Sequence, residues 1–122
     1  MSFKAINLGM SISELDPWGS LAALGGEILE GGDLQAYGKM THGQPSDAVS
    51  AGFFGTPKGK FRLVYPFSEQ AVIVSGEVSI TDESTGETFR FGAGDTWCVS
   101  KGASTVWEVL SENFVKHYLA AV

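Results

Sequence analysis

The 122-residue chain has one cysteine, Cys98, so no internal disulfide can form, and a lone thiol suits a reducing compartment. Basic residues are scarce: eight Lys and Arg against fourteen Asp and Glu leave a net charge of −6 at pH 7. A surface of that sign repels phosphate backbones and anionic lipid, which argues against nucleic-acid and membrane partners. No apolar run approaches the ~20 residues of a membrane span. Nor does an apolar stretch follow Lys4 in the way a secretory signal requires. These absences predict a soluble cytoplasmic protein. A further shortage is of helical pattern: no amphipathic stretch long enough for a crossover helix separates the apolar segments.

The chain is nevertheless far from disordered, with 43% hydrophobic residues, 11% aromatics and a mean hydropathy of +0.07. Its length suffices for one domain with a core of its own. Glycine is abundant, with sixteen residues, nearly double the average usage of about 7%. Frequent tight turns, and hence short strands, follow from that.

Residues 1–30 read as an arm that cannot fold alone and packs on a barrel edge or crosses to a second subunit. Within it, Ser13 to Trp18 looks like a turn or helical start, and Gly25-Gly26 and Gly31-Gly32-Asp33 are turn signals. From residue 34 the apolar period is close to two, and residues 31–122 form the predicted domain. Strands are predicted at 34–40, 49–56, 61–65, 70–75, 77–81, 88–91, 96–99, 104–110 and 114–120. Turns fall at Pro57 to Lys60, Asp82 to Gly86 and Gly92 to Asp95. The fold class is all-β, an antiparallel barrel or sandwich.

Two stretches carry a resemblance. The run from Gly59 to Glu69, followed by six residues and Gly76-Glu77-Val78, resembles the first motif of the cupins. The run from Gly94-Asp95 to Ser100-Lys101-Gly102 is similar to their second. Tyr65-Pro66-Phe67-Ser68-Glu69, Trp107-Glu108-Val109 and Lys116-His117-Tyr118 narrow the likeness to single-domain cupins of the ureidoglycine aminohydrolase and ethanolamine-utilisation groups. The resemblance implies a double-stranded β-helix, a jelly-roll barrel, over about residues 30–122. Gly76 and Gly94 are expected at positive φ, where strands leave one sheet for the other.

Metal-binding cupins hold their ion with three histidines and a glutamate. In this sequence the histidine positions fall on Leu63, Tyr65 and Thr105, and only Glu69 survives. A lone carboxylate beside a phenol and a hydroxyl is a poor site for an ion that favours imidazole. The expectation is therefore no metal and no other cofactor. His42 lies in a loop-like stretch. His117 rebuilds a two-ligand site only if it faces inward, and Lys116 and Tyr118 are the better inward candidates.

Strand parity fills the rest of the barrel. With Glu69 pointing in, Leu63, Tyr65, Ala71 and Ile73 follow, faced by Thr105, Trp107 and Val109; Val78, Ile80, Phe89 and Phe91 read as core. An apolar lumen with a few convergent polar groups is the usual form of a small-ligand site. Buried, Glu69 needs a cation such as Lys116 or Arg62. The expected catalytic group is thus Glu69 as base, with Tyr65 and Lys116. Arg62, Leu63, Thr105, Trp107, Tyr118 and His117 are the expected ligand contacts.

Three functions are compatible with this reading. The first is a small-molecule-binding cupin, which as an enzyme would act without a metal on a small polar metabolite in the lumen. The second, implied by the resemblance, is a manganese-dependent hydrolase like ureidoglycine aminohydrolase. The third is a non-catalytic sensor or scaffold, with Tyr65 and Trp107 plugging the barrel. A homodimer is expected, since Phe53 or Phe54 and Val106 read as outward apolar residues that a second copy would cover.

Overall fold

The computed structural model describes residues 3–122. Nine strands follow a short 3-10 turn at Ile12–Glu14. They are β1 (Asp16–Ser20), β2 (Glu27–Glu30), β3 (Gln35–His42), β4 (Val49–Val64), β5 (Ser68–Ser75), β6 (Val78–Asp82), β7 (Glu87–Phe91), β8 (Thr96–Val99) and β9 (Ser104–Ala121). All pairings are antiparallel.

Two long strands organise the barrel. The first part of β4 pairs with β3 and with the C-terminal part of β9, which in turn pairs with β5 and through it β8. The second part of β4 pairs with β2 and with the N-terminal part of β9, which leads on to β6 and β7. Two sheets thus share β4 and β9, and both strands turn the corner together where the register shifts between Pro57 and Gly59. The sequence reading placed a turn at Pro57 to Lys60 and a break between 110 and 114. The structure corrects both. Pro57 and Gly59 do interrupt regular pairing, but as a bulge that bends a strand rather than a turn that reverses it.

Gly76 and Gly94 take φ of 89° and 88°. At Gly76 a Cβ would also stand 2.3 Å from the Asn113 carbonyl oxygen, so the β5–β6 connection lies against the corner of β9. Val78 and Ile80 are buried core, as parity requires. Phe89 is not: it is 44% exposed, and Phe91 is only half-buried. The reason is topological. β7 pairs only with β6 and β8 only with β5, so a seam between these two edge strands leaves their inner faces partly open.

The arm lies on its own barrel, with β1 against β3 and β2 against β4; its first two residues lie outside the described residues. Leu15 and Leu21 are buried. Trp18 packs so closely on the backbone of Gly38 that a Cβ there would fall 2.2 Å from the indole ring. Of the alternatives expected to await a partner subunit, Phe54 lines the lumen beside Lys116, and Phe53 is 2% exposed in a cluster with Leu15 and Val115. Its own arm covers it.

Candidate functional site

Glu69 is the second residue of β5, and the pleat turns it inward, where it is 2% exposed. A carboxylate so far from water requires partners. It has three. Lys116 Nζ, reaching across from the neighbouring strand β9, lies 2.7 Å from Oε1. Tyr65 OH and Trp97 Nε1 each donate to Oε2 at 2.9 Å. Parity delivers these groups: Lys116 and Tyr118 share one face of β9, and His117 between them takes the other.

Lys116 is itself 4% exposed, and its ammonium sits among five aromatic rings. Nζ is 4.8 Å from the centroid of Trp107, 5.3 Å from Phe54 and Trp97, 5.5 Å from Tyr118 and 5.7 Å from Tyr65. Ring faces attract a desolvated cation, so the rings and Glu69 together hold the charge that burial opposes. Burial still pulls the Lys116 pKa below its ordinary value, with Glu69 acting against it. Burial also pushes the Tyr65 phenol well up, reinforced by the Glu69 charge. Tyr118 is raised to about 12, by burial first and Glu69 second. Both phenols are therefore donors at neutral pH.

The polar cluster divides the lumen. Towards the arm lies a cavity of about 170 Å³ lined by Phe61, Leu63, Tyr65, Glu69, Trp107, Lys116 and Tyr118 and closed by Leu21, Leu24 and Gly26 of the arm. Towards the β7–β8 seam lies a second space of about 380 Å³, lined by Tyr65, Ile80, Phe91, Trp97, Val99 and Thr105 among others. Tyr65 forms part of both walls.

Two of the expected site residues lie elsewhere. Arg62 alternates with Phe61 and Leu63 and faces outward, pairing with Glu27 at 2.9 Å and Glu83 at 2.8 Å, so it cannot answer Glu69. These carboxylates hold its pKa above the ordinary arginine value, and Arg62 in turn lowers Glu83. His117 is outside the lumen for the same reason of parity; its Nε2 is hydrogen-bonded to Thr41 Oγ1 at 2.9 Å and its ring packs edge-on against Phe53. Burial lowers its pKa. Sequence reasoning missed Trp97 as a polar participant. Its inward parity was readable, but the direction of the indole N–H was not.

The donor set does not fit a metal ion. Leu63 has no ligating atom, and Thr105 spends its hydroxyl proton on the Leu63 carbonyl at 2.9 Å. Both Glu69 oxygens already accept from protein donors. Lys116 puts a positive charge where an ion would need a ligand. Among the described residues no three His, Cys, Asp or Glu side chains cluster as a metal site.

A two-sheet jelly roll with a lumen between its sheets is the architecture of a cupin. The particular family follows from comparison: residues 43–118 match the profile of the EutQ-like cupin domain, and the chain belongs to that family. Solved structures agree on the fold. The putative ethanolamine utilization protein Q of Salmonella typhimurium is 22% identical, with a TM-score of 0.58 over 73% of this chain and 69% of that one. Clostridium difficile EutQ is 16% identical, with a TM-score of 0.62 over 78% and 75%. A protein of unknown function from Pseudomonas syringae reaches a TM-score of 0.73 at 18% identity, over 88% of this chain and 44% of that one. No curated protein matches the chain. Among the described residues no helix is long and apolar enough to cross a membrane.

Proposed function

We propose that this cupin binds a small metabolite in its lumen and works without a metal, with Glu69, Tyr65 and Lys116 as its acid–base group. The observation that carries the reading is the Glu69–Lys116 pair at 2.7 Å, buried in the wall of an otherwise apolar cavity. In it Glu69 takes or returns a proton, Lys116 balances its charge, and the Tyr65 hydroxyl orients Oε2. Leu63, Trp107 and Tyr118 belong to the wall of that cavity, and Thr105 to the wall of the second space. We place the protein in the cytoplasm, where the exposed Cys98 stays a free thiol. We also propose a homodimer. The arm covers Phe53 but leaves Leu119 and Val49, each 47% exposed, open to a second copy.

The finer likeness to ureidoglycine aminohydrolase would bring manganese and ureide hydrolysis, and the donor set speaks against that ion. A sensor or scaffold role is favoured by one observation: Glu69 already has three donors and needs no ligand for satisfaction.

Elemental analysis and a thermal-shift screen of ureides, amino acids and other small metabolites separate these readings. The expected outcome is protein without stoichiometric metal and a stabilising ligand whose effect is lost in Tyr65→Phe, which keeps the ion pair, and in Glu69→Gln. Stoichiometric manganese brings back the hydrolase. Silence across the screen, in wild type and Tyr65→Phe alike, leaves the scaffold.

A further inference from the structure

On the far side of Tyr65 from the arm, the space at the β7–β8 seam has a different chemistry. Its inward polar side chains are already partnered, with one exception. Tyr65 and Trp97 donate to Glu69, and Thr105 donates to the Leu63 carbonyl. Asp82, which also lines the space, is the exception. It shares a face of β6 with the buried Ile80 and stands in register between Thr105 on β9 and Glu87 on β7. Ser84 donates twice to its Oδ1, whereas Oδ2 accepts from no donor among the described residues. Nor does any described cation pair with it: Arg62, Arg90 and Lys116 each hold another carboxylate.

No Lys, Arg or His lines this space, and Asp82 is its one carboxylate. The rest of the wall is mostly apolar, built from Ile80, Phe89, Phe91, Trp97 and Val99. Phe89 is 44% exposed there, although its partner in register, Ile80, is buried. Apolar surface gathered in a cleft marks a place that something else covers. The volume of about 380 Å³ falls within the range of small-molecule sites. An anion would meet Asp82 with Glu87 beside it, on a chain of net charge −6. A cation with an apolar body meets an unpaired carboxylate and a wall of rings.

We propose that the seam-side space is a second ligand site and takes a small primary amine with an apolar, aryl or alkyl, body. Its ammonium donates to Asp82 Oδ2 and keeps its other N–H groups in water at the mouth. Its apolar body packs between Ile80, Phe89, Phe91 and Trp97. The spacing sets the tether. Asp82 stands two residues beyond the Ile80–Phe89 pair, a rise of about 7 Å along the strand. A two-carbon link between a ring and the ammonium suits that distance. The site goes beyond the acid–base group on the arm side and needs no chemistry at Glu69.

The probes are phenethylammonium, phenethyl alcohol and phenylpropionate, titrated separately into isotope-labelled protein. Methyl resonances of Ile80 and Val99 report the seam, and those of Leu21 and Leu63 report the arm-side cavity. Phenethylammonium is expected to move the seam methyls and to bind about tenfold more tightly than the alcohol, with the carboxylate weakest. Asp82→Asn keeps an oxygen for Ser84 and is expected to bring the amine down to the affinity of the alcohol, which itself stays unchanged. Equal or tighter binding of the alcohol or the carboxylate in the wild type overturns the proposal, whether or not the variant folds. Amine binding that Asp82→Asn does not weaken overturns it too. Shifts confined to Leu21 and Leu63 overturn this site while binding in the arm-side cavity stands. Silence from all the probes also overturns it, and the metabolite screen with Tyr65→Phe then decides the arm-side reading by itself.

Discussion

A lysine that answers a glutamate inside a ring of aromatic side chains makes its neighbours report on the charge. Tyr65 and Tyr118 are held protonated, the first by burial and the Glu69 charge, the second to about 12 by the same causes. Their folded pKa values are thus raised above the unfolded value of about 10. Their stabilising contribution is fully present below pH ~10 and is lost as pH rises towards 12, because the unfolded state gives up the phenolic protons first. Ultraviolet difference absorbance through that range should show tyrosinate from Tyr65 and Tyr118 appearing together with loss of fold. Ionisation of all three tyrosines in protein that is still folded contradicts this environment. Period-two reading placed Glu69, Tyr65, Trp107 and Thr105 inward correctly, because one residue's direction fixes the whole strand. It also favoured Lys116 over His117. The same parity turns Arg62 outward, since it alternates with the inward Leu63, so offering Arg62 as a cation for Glu69 ran against the pattern that placed the rest.

The arm is the element whose attachment depends on the smallest side chain. Trp18 occupies the space a side chain at Gly38 would need. Gly38→Ala is expected to push the indole off β3 and destabilise by about 1–3 kcal/mol, as overpacking does. It should also raise the exposure of Leu21, which closes the cavity. Denaturant unfolding and Trp fluorescence check both effects; unchanged stability and emission would mean that the arm seats otherwise. The arm was legible as a piece needing support, because Gly25-Gly26 and Gly31-Gly32 leave it only short apolar runs. The corner in β4 was not. Pro57 and Gly59 carry the same signal for a bulge as for a turn, and only the partner strand distinguishes them.

For the whole molecule, the proposed homodimer predicts light scattering from twice 12.9 kDa at micromolar concentration. A monomer there removes it. If it holds, Leu119→Lys, at a 47% exposed site on the outer face of β9, should return the monomer without unfolding the barrel. The dependence of both sheets on β9 has a different consequence, one of timing. During synthesis β4, β5 and β6 leave the ribosome before the 18-residue strand that each must pair with exists. Until it arrives, the growing chain carries apolar strands with bare edges. Hydrophobic helpers that shield nascent chains therefore have more to do for this small protein than its size suggests.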